Sequence, residues 1–238
     1  MQVPDSHKVA IVDYGLGNLF SVKHACTKVG LTVSITSSLK EISQADALIL
    51  PGVGAFGDAM TALHSRDLVQ PIRDFAASGK LLVGICLGLQ LLFSESHEFG
   101  YHKGMGLIEG SIERLETVSD GITPNKVPQV GWNQISVPDH LKVASGWLHS
   151  PLSGLKNGTY MYFVHSYYAK PVNPEAVLSY TRYGSTSFCS SVCADNIVAF
   201  QFHPERSGVS GLSIYSNLAM RIMKKVNGVS RNEELKAN

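Results

Sequence analysis

Cys86 stands between two glycines in Gly84-Ile85-Cys86-Leu87-Gly88, with an apolar run leading in and a helix-like run leading out. A strand that passes at once into a helix through Gly-x-Cys-x-Gly has the layout of a nucleophile elbow. The turn is sharp, and a Cβ at either glycine would crowd the neighbouring backbone. Helix N-terminal N–H groups under the thiol would favour a thiolate and could hold a developing oxyanion. Taken alone, the motif also fits a buried core thiol beside glycines that end a strand.

A thiol nucleophile needs a base, and the base needs a group to orient it. The stretch QFHPERSG, residues 201–208, supplies both. His203 and Glu205 are two residues apart, so in extended backbone their side chains leave the same face. Pro204 between them fixes φ and favours a strand end or a turn. A third stretch, LPGVGAF at 50–56, ends a strand in glycines, which lets backbone N–H groups approach a ligand.

These residues need a scaffold, and the hydrophobic pattern describes one. KVAIVDYG (8–15) reads as a buried strand, followed by a helix that starts after Asn18 and stops at Gly30. TVSIT and ADALILPGVG read as further strands, 55–64 and 68–78 as helices. KLLVGIC reads as a strand and LGLQLLFSES as the helix after it. Strands alternating with helices predict a parallel sheet covered on both faces. Beyond about residue 105 the pattern turns β-rich, which suits an antiparallel extension of the same sheet. A last helix over roughly 209–226 leads into a polar tail, 228–238.

The chain has 238 residues, 44% of them hydrophobic and only 16% charged, with a formal net charge of +1. Basic residues are scattered, so no nucleic-acid or membrane-surface partner is expected. No secretory leader or bilayer-spanning run is apparent, which points to a cytoplasmic protein. Cys26, Cys86, Cys189 and Cys193 show neither disulfide-framework nor zinc-site spacing, so no metal is expected. Gly15-Leu16-Gly17 after the first strand hints at dinucleotide binding, but Phe20 occupies the place of the third glycine, and no cofactor is expected.

Together the motifs resemble the class I (triad) glutamine amidotransferases. The fuller set is most similar to the glutaminase subunits of imidazole glycerol phosphate synthase: DYGLGN at 13–18, LPGVGAF, GICLGLQLLF at 84–93, KVPQVGWN at 126–133, YFVHSYY at 162–168 and QFHPERSG. The resemblance spans nearly the whole chain. It implies an α/β fold with a flavodoxin-like, mostly parallel central sheet, helices on both faces and a β-rich C-terminal half, forming a single amidotransferase domain over residues 1–227.

The resemblance also implies roles. Cys86 would attack the glutamine amide, His203 would act as general base and Glu205 would orient it. The oxyanion would rest on N–H groups of Leu87 and of the Val53-Gly54 segment, in some members only after a peptide flip. Gly52, Gln90, His165, Ser166 and Tyr167 would bind glutamine. Asn18, Trp132 and Arg206 would face a synthase partner, a (β/α)8-barrel cyclase of histidine biosynthesis, in a heterodimer. Two residues depart from the subfamily pattern, Gln129 where histidine is commoner and Arg206 where lysine is commoner. Both are expected on the partner face, which leaves a sugar-amidating synthase open as the acceptor. A non-catalytic flavodoxin-like subunit and a cysteine hydrolase are the competing readings, and the intact Cys86, His203 and Glu205 set argues against the first.

Overall fold

The computed structural model describes residues 7–117, 126–142 and 146–226. The expected tail, 228–238, lies outside the described residues. In order the elements are β1 (Lys8–Val12), α1 (Leu19–Lys28), β2 (Thr32–Thr36), α2 (Leu39–Gln44), β3 (Ala47–Gly52), α3 (Phe56–Ser65) and α4 (Val69–Ala77). There follow β4 (Leu81–Cys86), α5 (Leu87–Leu91), β5 (Phe93–Ser96), β6 (His102–Lys103), β7 (Ile108–Arg114), β8 (Gln129–Gln134) and α6 (Asp139–Lys142). The chain then forms β9 (Tyr160–His165), β10 (Tyr167–Pro171), β11 (Val177–Tyr183), β12 (Thr186–Ala194), β13 (Ile197–Phe200) and α7 (Gly208–Val226).

Eleven strands share one sheet in the order β2-β1-β3-β4-β13-β12-β10-β7-β5-β6, with β11 paired to β12 off that path. The first five are parallel. This is the 2-1-3-4-5 order of flavodoxin-like folds, with β13 in fifth place although it comes last in the chain. Alternation along the parallel strands sends side chains to opposite faces. Ala10, Val12, Leu48, Leu50 and Leu82 pack on one side with Phe56, Leu63, Ile72 and Phe75 of α3 and α4. Val9, Ile11, Ile49, Val83 and Ile85 pack on the other with Val22 and Cys26 of α1 and Ile214, Tyr215 and Leu218 of α7.

Two expectations are corrected. The helix after Cys86 is five residues long, and Phe93–Ser96 is a strand that pairs with β7. The β-rich half extends the main sheet only in part, because β8 and β9 form a ladder of their own. α2, absent from the expected pattern, is a short helix capped by Ser38, whose hydroxyl accepts from the Glu41 N–H.

Candidate active site

The parallel strands deliver β3 and β4 side by side, with Gly52 opposite Cys86 in the register. Cys86 is the last residue of β4 and adopts φ 55°, ψ −112°, a conformation that a non-glycine residue holds only under local constraint. The constraint comes from close packing of α5 on β3. A Cβ on Gly88 would collide with the Leu50 carbonyl oxygen, and one on Gly84 would lie 3.0 Å from both the Ala199 Cβ and the Gly88 carbonyl. The two flanking glycines are therefore required by the elbow, as the motif predicted.

His203 and Glu205 reach the site from the neighbouring strand β13, which pairs with β4. The strand stops at Phe200, and Pro204–Arg206 form a 3-10 turn, so the extended backbone expected for this pair is not what brings them together. The turn still places His203 Nδ1 2.7 Å from Glu205 Oε1, with the two side chains only 5% and 1% exposed. Because the carboxylate accepts, Nδ1 carries the proton and Nε2 is left for the thiol. Burial opposes a charge on His203, but the Cys86 side chain and the Glu205 carboxylate outweigh it and push His203 up to about 10. The Ser207 hydroxyl donates to the His203 carbonyl at 2.7 Å and accepts from the Tyr162 N–H at 3.0 Å, tying the turn to β9.

Cys86 opens on a cavity of about 260 Å³. Of the residues expected around the substrate, Leu87, Val53, Gly54, Gln90, His165, Ser166 and Tyr167 line it. Gly52 is buried beside it and is not part of the lining; a Cβ there would collide with the Tyr14 hydroxyl. The Tyr14 hydroxyl donates to the Pro51 carbonyl at 2.8 Å, so the end of β3 is anchored, while Val53 is half-exposed and Gly54 has φ +102° with open space around it. Any rearrangement of the segment is thereby directed to Val53 and Gly54.

Two site residues escaped the sequence reading. Glu98 is the carboxylate in the cavity lining, and its Oε2 accepts from the Phe56 N–H at 2.5 Å. Burial holds it above the usual carboxylate range, opposed by the Phe56 N–H and by His102. No local motif announces it; only the return of the chain after α5 brings it to the cavity. Gln201, inside the QFHPE stretch, lies in a buried chain: Gln90 Nε2 donates to Gln201 Oε1 at 3.0 Å, and Gln201 Nε2 to Cys86 Sγ at 3.8 Å.

His165 is buried, and burial outweighs its bond to the Tyr167 carbonyl and lowers it to about 4, so the ring is neutral. Its Nδ1 meets that carbonyl at 2.9 Å and must donate, which makes Nε2 an acceptor. The partner of Nε2 is the Gln129 side-chain amide at 3.2 Å, which satisfies it only by presenting its NH2 group. Gln129 was expected on a partner-facing surface and is instead 3% exposed. Its departure from the subfamily pattern is thus an internal pairing.

Arg206 and Trp132 do lie at the surface, joined by a residue the sequence reading left unused. The Arg206 guanidinium sits 4.6 Å from the centre of the Tyr162 ring, and Trp132 meets that ring edge-on at 6.0 Å. Asn18, at the start of α1, is also exposed. Among the described residues no helix is long and apolar enough to cross a membrane, and no group of three or more His, Cys, Asp or Glu side chains could hold a metal ion.

The arrangement can supply a nucleophile, a proton carrier and an orienting carboxylate beside a small cavity of mixed lining, which is the equipment for acyl transfer. Residues 10–221 match the glutamine amidotransferase class-I family. A protein of Rhodopirellula baltica named imidazole glycerol phosphate synthase subunit HisH is 44% identical over 211 residues, covering 89% of this chain and 96% of its own. The protein of the same name from Aquifex aeolicus is 43% identical over 218 residues, 91% of this chain and 98% of its own. Among solved structures, that of PurLQS from Thermotoga maritima has a TM-score of 0.67 at 19% identity, covering 91% of this chain and 99% of that one, a likeness of fold. Identity at the level of the first two, sustained over about nine-tenths of the chain, is a likeness of family: this chain belongs to the class-I glutamine amidotransferases, with the HisH subunits of imidazole glycerol phosphate synthase.

Proposed function

We propose that this chain is a glutaminase subunit that hydrolyses glutamine to glutamate and ammonia and passes the ammonia to a cyclase partner. The observation that carries the reading is the buried His203–Glu205 pair facing Cys86 at the mouth of a cavity that also holds Glu98. His203 holds the proton as the imidazolium paired with the Cys86 thiolate, and the sulfur attacks the side-chain amide carbon of glutamine. The C–N bond breaks as His203 protonates the leaving nitrogen, leaving a γ-glutamyl thioester and ammonia. Water, deprotonated by His203, then attacks the thioester and releases glutamate and the free thiol. The Leu87 N–H and one from Val53 or Gly54 hold the oxyanion. Glu98 suits the α-ammonium group of glutamine, with Gln90, Ser166 and Tyr167 around the rest of the amino acid and Gly52 behind.

The shared name of the relatives supports imidazole glycerol phosphate synthase as the assembly and histidine biosynthesis as the pathway. The partner would be a (β/α)8 barrel that forms a heterodimer by docking on the face marked by Asn18, Trp132 and Arg206. The described thiols are unpaired, in keeping with a reducing cytoplasm. Residues 1–227 act as one domain in this reading, with 228–238 as a polar tail. The test is labelling with an electrophilic glutamine analogue, followed by peptide mapping. Modification at Cys86, blocked by excess glutamine, supports the reading; labelling elsewhere, or none in a folded chain, overturns it.

A further inference from the structure

Glu205 uses only half of its carboxylate. Oε1 accepts from His203, while Oε2 is buried with no hydrogen-bond partner. A buried carboxylate oxygen left unpaired is costly, more so when the group is ionised. A second orphan lies in the same part of the core: the Tyr215 hydroxyl is also buried without a partner, in a residue 1% exposed. One is an acceptor and the other a donor.

Both belong to the region where α7 meets the catalytic turn. α7 begins on the catalytic turn, where the Gly211 N–H donates to the Ser207 carbonyl at 3.1 Å, and a Cβ on Gly211 would collide with the Pro204 carbonyl oxygen. Tyr215 lies one helical turn further along α7, in the same core cluster as Phe202 and Cys26 of α1. After burial, the Glu205 charge is the strongest influence on both: Tyr215 is pushed well up, and Cys26 up to about 12. Both therefore keep their protons at neutral pH. The titratable groups that feel the Glu205 carboxylate are thus His203 on its own turn, Tyr215 from α7 and Cys26 from α1, while Arg206 stacks on Tyr162.

We propose that Tyr215 is a positioning residue for the triad, its phenolic O–H linked to Glu205 Oε2 across one buried water. With both oxygens held, the carboxylate cannot rotate Oε1 away from His203 Nδ1, and its charge is supported from below. Tyr215 touches neither substrate nor sulfur and acts only through Glu205. The inference rests on the Cys86–His203–Glu205 reading.

Tyr215→Phe keeps the ring and removes only the hydroxyl. Glutamate release by the chain with its synthase partner should show kcat reduced ~10-fold or more, with KM for glutamine unchanged. The His203 ring, followed by NMR in the folded chain, should titrate at lower pH than in the parent. In a Glu205→Gln background the same substitution should slow the residual rate by less than ~2-fold, because the two act through one bond. A folded Tyr215→Phe protein with kcat within ~2-fold of the parent and an unmoved His203 titration would overturn the proposal, as would equal losses in the two backgrounds. If Cys86→Ala and Glu205→Gln are inactive while Tyr215→Phe stays fast, only this inference fails; if Cys86→Ala stays active, the triad reading fails with it.

Discussion

His203 Nδ1 and Glu205 Oε1 lie 2.7 Å apart on a turn that begins only after β13 has ended, so a 3-10 turn and not a strand face aims the imidazole. Pro204 starts the turn and Ser207 ties it to β9, which fixes where the pair stands. Glu205→Gln preserves shape but replaces the acceptor charge with a neutral amide. Steady-state glutamate release should fall by up to ~10⁴, the scale seen when an orienting carboxylate is neutralised in a serine triad. A folded, partner-bound variant less than ~10-fold slower would remove Glu205 from its role.

Two histidines shape stability against pH in opposite directions. His203 is raised from 6.5 to about 10, so in that window the folded state binds more protons than the unfolded one. Its contribution is complete below 6.5 and is lost as pH rises toward 10. His165 is lowered from 6.5 to about 4, so its contribution is present above 6.5 and is lost as pH falls toward 4. Thermal melting should therefore peak near neutral pH and fall on both sides, and His203→Ala should flatten the alkaline arm. An unchanged alkaline arm in that variant would contradict the raised value.

Gly88→Ala forces a methyl group against the Leu50 carbonyl oxygen, which is backbone and cannot swing aside. The expected cost is about 1–3 kcal/mol of stability, with a larger loss of activity as the elbow shifts. Chemical denaturation and glutamate release on one preparation check both. A variant matching the parent in each would show that α5 does not hold the Cys86 turn.

The surface cluster gives a prediction for the partner. Tyr162 carries the ring that Arg206 and Trp132 share, and its carbonyl accepts from the His203 N–H at 2.9 Å. A docking partner that moves this ring therefore acts on the catalytic turn one hydrogen bond away. Arg206→Ala should weaken co-purification with the cyclase, or lower its stimulation of glutamine turnover, while leaving the Cys86 label intact. Unchanged binding and stimulation would place the interface elsewhere.

The Cys86 elbow, the His203–Glu205 pair and their scaffold were legible because they are local. The Gly84–Gly88 spacing, the His-Pro-Glu run and the buried apolar strands each sit within a few residues of sequence. Register and return of the chain were not. Glu98 reaches the cavity only because α5 ends after five residues and Phe93–Ser96 joins the sheet, where the continuous apolar run had suggested more helix. Gln129 looked like a surface variation until its β8–β9 pairing set it opposite His165, inside the protein. Tyr215 carries no motif, and only the return of α7 to the catalytic turn brings it into one core cluster with Phe202 and Cys26.

The most direct measurement is glutamine-dependent against ammonium-dependent synthesis by the complex of the cyclase with Cys86→Ala. The substitution removes the sulfur and leaves the fold and the docking face in place. Glutamine should no longer support synthesis while added ammonium salts still do, at a rate close to that of the parent complex. Glutamine-dependent synthesis persisting near the parent rate would show that Cys86 is not the nucleophile.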